Sequence, residues 1–175
     1  NTVLESYNSA AYTTENWTIL TGYKTAGDAT IEAAADLTAV ATAKATAIAG
    51  MDAVKTIAET LAEAKTAAKA DLAGELTKYS EDYYTAENWT KLSGYKTDGD
   101  TAIENAVDLA AVASAKETAI AGMDAVKTIA ETLAEGKTTA KADLASELTK
   151  YTEAYYTAEN WITLTGYKTD GDTAI

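Results

Sequence analysis

The sequence predicts an all-α protein made of tandem three-helix bundles, about 72 residues per repeat, stacked end to end into a rod. Three observations predict it. The first is an internal period. Trp17, Trp89 and Trp161 are spaced by 72, as are Met51 and Met123, and 73 of the 92 positions from Tyr12 to Ile103 recur identically from Tyr84 to Ile175. Such a period marks a supersecondary unit that buries its apolar face partly against its neighbours. The second is composition: the chain has no proline, and it is rich in the helix formers Ala, Leu, Glu and Lys. The third is spacing. Apolar residues recur every three or four positions, as they do on one face of a helix.

The period sets the expected boundaries. Residues 1–12 read as the end of a preceding repeat, 13–84 as the first repeat, 85–156 as the second and 157–175 as the start of a third. In the second copy, Thr85 is a candidate N-cap, with Glu87 placed to complement the helix dipole. Trp89, Leu92 and Tyr95 then follow at helical spacing. Lys96-Thr97-Asp98-Gly99-Asp100 is the most turn-like cluster, and two readings compete there. In one, the first helix ends at Gly99, and Thr101-Ala102-Ile103-Glu104 forms a capping box for the next. In the other, the helix runs through the glycine to about Val107 and Asp108 starts the second helix. The first copy has Ala26-Gly27-Asp28-Ala29, a poorer turn, which favours the continuous helix.

Ile120, Met123, Val126, Ala130 and Leu133 read as one seam. Lys137 then interrupts it, which places the break between the second and third helices near Glu135–Lys141. The third helix is expected from about Ala140 to Tyr151. The junction into the next Thr-Ala-Glu-Asn-Trp has no glycine, proline or serine-rich linker, so a stiff connection is expected, with a nearly continuous helix as its extreme form.

Composition also limits function. Net charge is −13, from 14 lysines against 27 acidic residues, which disfavours nucleic acid and anionic membrane surfaces. Without cysteine or histidine there are no thiolate nucleophiles, disulfides or imidazole bases, and no cofactor is expected. No apolar run reaches the ~20 residues of a membrane span, and no leader segment is visible.

The pattern Tyr84-Thr85-x-x-x-Trp89-x-x-Leu92, repeated at Tyr12, Thr13, Trp17, Leu20 and at Tyr156, Thr157, Trp161, Leu164, with Lys141-Ala142-Asp143-Leu144 further on, resembles FIVAR modules. The resemblance implies helical repeats of bacterial cell-wall and secreted proteins, including adhesins and carbohydrate-active enzymes. It carries over no catalytic residue. Asn88 stands where that family commonly has serine, and its usual glutamine is absent here.

Aromatic residues are the sharpest candidate feature. All eleven tyrosines and three tryptophans fall between Tyr7 and Tyr23, Tyr79 and Tyr95, or Tyr151 and Tyr167. Tyr84, Trp89, Tyr95, Tyr156, Trp161 and Tyr167 are thus candidate ligand-contacting residues, and sugar stacking is the chemistry such a band offers. The competing and favoured reading is structural: Trp89 packs the first helix against the end of the third, and the tyrosines seal the junction. Asp98, Asp100 and Glu104 lack the alternating spacing of a calcium loop and read as turn and cap residues. Acid pairs such as Glu131 with Glu135, or Asp82 with Glu87, read as solvated helix faces. Threonines at 38, 42, 46 and 56 hold no regular ice-binding spacing. No metal site is expected.

The expected function is a non-enzymatic spacer or stalk repeat of a cell-surface or secreted protein, holding another domain away from a cell wall. Its partners would be neighbouring repeats. The alternative is an adhesin or carbohydrate-binding module that uses the Tyr/Trp band on a cell-wall or host glycan or protein.

Overall fold

A computed structural model describes residues 3–175. Among these residues there are seven α-helices and no β-strand. They are α1 (Thr14–Glu32), α2 (Leu37–Asp52), α3 (Ile57–Leu76), α4 (Ala86–Asn105), α5 (Leu109–Asp124), α6 (Ile129–Leu148) and α7 (Ala158–Ala174). Short 3-10 turns at Leu4–Ser6, Ser9–Ala11, Glu81–Tyr83 and Glu153–Tyr155 precede the first helix of each copy. Three helices per 72 residues is therefore the local plan.

Each start is written in a side chain. Thr13 and Thr157 accept from the backbone N–H of Asn16 and Asn160, and Thr85 does the same for Asn88 at 3.2 Å. Asp36 and Asp108 each accept, at 2.7 Å, from the amide three residues on and so open α2 and α5. The first helix of the second copy runs unbroken through Gly99 to Asn105, as the continuous reading expected. Gly99 is buried, and a Cβ on its counterpart Gly27 would overlap the Cβ of Ala47. The glycine serves close helix approach, not a turn.

Two expectations are corrected. The second and third helices break at Ala125–Thr128, not near Glu135–Lys141. Thr128 and Glu131 form a reciprocal capping box at the start of α6, and Thr56 with Glu59 makes the same hydrogen bonds at the start of α3. Two amides that a continuing helix would need are thus already satisfied by side chains. Lys137 lies mid-helix on an exposed face, and Leu133, placed on the seam by spacing, is 58% exposed. The junction is likewise no continuous helix: Ser80 and Tyr84 are extended, at φ −106°, ψ 127° and φ −122°, ψ 152°, on either side of the 3-10 turn. The Thr85 cap fixes where helix resumes.

The chain divides into two compact units, and the divisions fall inside α3, α4 and α5. The first comprises the chain up to Leu72 with Gly99–Glu117. In it α1 packs on α2, and the third helix of the first copy lies along the end of α4 and the start of α5. Lys69 pairs with Glu104, Lys65 Nζ donates to the Glu104 carbonyl at 2.7 Å, and Lys116 lies 2.9 Å from Asp71. Its core includes Leu20, Met51, Ala68, Leu72, Ile103 and Val112. The second unit comprises Ala73–Asp98 with Thr118–Ile175. Leu92, Ala119 and Met123 are buried there, whereas α6 and α7 bury no residue fully.

Two outcomes follow for stability. A Cβ on Gly122 would stand 2.6 Å from Cε1 and 2.7 Å from Cγ of the Tyr95 ring, whereas one on Gly94 would meet nothing within 4 Å. Thermal unfolding should show Gly94→Ala stabilising by about 0.5–1 kcal/mol from helix propensity. Gly122→Ala should destabilise by about 1–2 kcal/mol through overpacking, despite the same propensity gain. The capping boxes supply the second outcome. Hydrogen bonds from the backbone and hydroxyl of Thr128 hold the Glu131 carboxyl below its usual pKa, as those of Thr56 do for Glu59. Their stabilisation is present above the unfolded carboxylate pKa and is lost as pH falls through the lower folded value. The melting temperature should therefore drop less on acidification in the Glu59→Gln, Glu131→Gln double variant than in the parent chain.

Candidate functional site

The aromatic band is built at the first turn of each copy's first helix. The Thr85 cap orients α4 so that Trp89, one turn in, faces back on the extended Tyr84, with ring centroids 6.1 Å apart and planes at 40°. Tyr79 meets the other side of Tyr84 edge-on at 6.3 Å and 66°. Tyr156 and Trp161 repeat the pair at 6.0 Å, and Tyr151 meets Tyr156 at 6.3 Å. Tyr12 and Trp17 form it in the first copy at 5.9 Å. The tyrosine pairs are edge-to-face, an arrangement that ring quadrupoles favour, and the Tyr–Trp pairs are tilted.

Not all six candidate residues belong to it. Tyr84 with Trp89, and Tyr156 with Trp161, come together. Tyr95 sits two turns further along α4, its ring laid on Gly122 of α5, just as Tyr23 lies on Gly50. It is a helix-crossing residue. Tyr167 makes no ring contact among the described residues and is 71% exposed.

Three polar ties around the band were not found by sequence reasoning. Tyr79 Oη donates to Asp124 Oδ1 at 2.5 Å, which fastens the junction to the end of α5, and Tyr7 does the same to Asp52. Asn88 Nδ2 donates to the Lys127 carbonyl at 2.8 Å, which secures the start of α4 to the α5–α6 turn, and Asn16 repeats this on Lys55. Lys127 in turn reaches Glu135 at 2.5 Å, as Lys55 reaches Glu63 at 2.6 Å. The available signal was recurrence: Tyr79, Asn88, Asp124 and Lys127 each have the same residue 72 positions away.

The electrostatics are those of a structural tie. Burial, then the hydrogen bond to Asp124, raises the Tyr79 phenol well above its ordinary pKa, and the bond to Asp52 raises Tyr7 to about 12. A phenol pushed in that direction holds its proton and is no acid or nucleophile near neutrality. Among the described residues, no group of three or more acidic side chains is placed to hold a metal ion. A groove of ≈ 570 Å³ between α1 and α2 is lined mainly by alanine and threonine, together with Tyr23 and Asp36. No helix among the described residues is long and apolar enough to cross a membrane. No protein-family model, curated protein or solved structure matches this chain.

The tyrosine ties set an alkaline limit. A group whose folded pKa is raised stabilises fully below its unfolded value, near 10, and the contribution is lost as pH rises through the folded value. Ultraviolet titration of the tyrosines should show a late-ionising class, and Tyr79→Phe should remove part of it. The same variant should lower stability at pH 7 by about 1 kcal/mol, the worth of one hydrogen bond made to a carboxylate at a half-buried site.

Proposed function

We propose that the chain is a non-enzymatic spacer: a run of three-helix repeats that holds another domain at a set distance, in a cell-surface or secreted protein of the FIVAR-like kind. The observation that carries this reading is that the same side-chain ties recur every 72 residues and engage the tyrosine, asparagine and aspartate side chains around the aromatic band. Tyr7 on Asp52 becomes Tyr79 on Asp124, and Asn16 on Lys55 becomes Asn88 on Lys127. The tryptophans pack at a tilt against their own tyrosines and are partly buried. Near-identical units joined by a short, glycine-free connection add length in equal steps, and an acidic surface keeps neighbouring molecules apart.

One observation favours binding as a second reading. Tyr83 and Tyr155, at equivalent positions in the junction turns, are 67% and 86% exposed. An exposed tyrosine in each of these two junction turns is a platform on which a sugar ring can stack, although the equivalent position 11 is alanine.

Small-angle scattering on chains lengthened by one and two 72-residue repeats tests the spacer reading. The maximum dimension should grow by a constant step, about 30–40 Å per repeat, since a helix of 20 residues is ~30 Å long. An unchanged maximum dimension would refute it. For the alternative, retention on immobilised polysaccharide should be lost in the Tyr83→Ser, Tyr155→Ser double variant while helicity is retained. A chain that is not retained at all leaves only the spacer.

A further inference from the structure

We propose that the groove between α1 and α2 is a docking site for the third helix of another repeat of this kind. The chain shows how such a helix is received. Within the first unit, α3 lies against the end of α4 and the start of α5, with Lys69 paired to Glu104 and Asp71 2.9 Å from Lys116. Ala68 and Leu72, on the same helix, are 4% and 0% exposed, and Ile103, Ala106 and Val112 on the receiving helices are buried as well.

The same receiving residues recur 72 positions earlier, and no helix covers them among the described residues. Glu32 and Lys44 stand where Glu104 and Lys116 stand, and both are exposed with no ion pair among the described residues. Ile31, Ala34 and Val40 match Ile103, Ala106 and Val112 residue for residue, yet they are only partly buried. Gly27, Ile31, Lys44 and Ile48 line a groove between the two helices, and Val3 and Leu4 line it as well. Those two residues correspond to Glu75 and Leu76, the last two of α3. The groove is therefore already lined by the counterparts of the end of a third helix, and no other described residue stands where the rest of that helix would be.

The occupant is specified by chemistry. It is an amphipathic helix carrying Leu61, Lys65, Ala68, Lys69, Asp71 and Leu72 at their present spacing. Its lysines answer Glu32, its aspartate answers Lys44, and its alanine allows close approach. A second copy of the intact chain fits less well: its α6 bears the same pattern, but α7 already packs Gly171 against Leu144, the counterpart of Leu72. The inference goes beyond the spacer reading and does not depend on it.

The test is titration of the isotope-labelled chain with a synthetic peptide of residues 56–72, followed by NMR. Saturable shifts at Ile31, Ala34 and Val40 are expected below ~1 mM, an affinity set by the cost of ordering a short helix. Lys44→Asp should weaken binding about fivefold or more through the like-charge pair it creates with Asp71, and a peptide carrying Asp71→Lys should recover binding to that variant. This rescue separates a failed fold from a failed contact. No shift at ~1 mM, equal binding of a scrambled peptide, or shifts confined to the opposite α1–α2 groove around Ala43 would each overturn the proposal. So would self-association of the chain that the peptide displaces, which would make a second copy the occupant.

Discussion

Close approach of helices is the constraint on which the rest of this structure depends. An alanine-rich helix buries little apolar area per residue, at roughly 25 cal/mol for each Å² removed from water. It stabilises a packed arrangement only if its axis comes close enough for methyl groups to interdigitate. Gly27 against Ala47, Gly50 beneath Tyr23 and Gly122 beneath Tyr95 are where that approach is made. A few large residues, Leu20, Leu72, Leu92, Ile103 and Met123, then supply most of the fully buried side-chain volume. Glycine within these helices costs about 1 kcal/mol of propensity relative to alanine, a cost borne at the crossings.

Thin helix faces leave the ends to be fixed by polar groups. That explains why so much of the hydrogen bonding lies at caps and turns. Thr85, Asp108 and Thr128 each satisfy amides that would otherwise be orphaned. Asn88 and Tyr79 then tie those ends to one another through the Lys127 carbonyl and Asp124. The bulky aromatics gather at the same place because that is where the chain leaves the helical path and a methyl group cannot fill the space. A feature that looks like a binding platform in the sequence is, at Tyr84 and Trp89, two rings tilted against each other.

Much of this was legible in the residues. The absence of proline announced helices, and Thr85 and Asp108 announced two of their starts. The poorer turn of the first copy pointed rightly to a helix continuing through Gly99. What failed was the break between the second and third helices. Met123, Val126, Ala130 and Leu133 keep helical spacing across it, yet only Met123 is buried, and Ala130 and Leu133 are exposed, so the spacing does not mark one continuous buried face. Thr128-Ile129-Ala130-Glu131 has capping-box form, but so does Thr101-Ala102-Ile103-Glu104, which lies inside α4. Local form alone does not separate the two. The Tyr79 and Asn88 ties join residues 45 and 39 apart, a range no local pattern encodes.

A spacer transmits distance only if its junctions hold one conformation, so the segment from Thr77 to Thr85 carries the central claim. Hydrogen exchange on the amides of Tyr83 and Tyr84, which donate to the Ser80 and Glu81 carbonyls at 3.0 Å, tests it most directly. A fixed junction predicts protection within about tenfold of the amides in the first turns of α4, opening as one cooperative segment with them. Exchange at the rate of an unstructured peptide, with α4 still protected, would contradict it and leave a flexible tether in place of a strut.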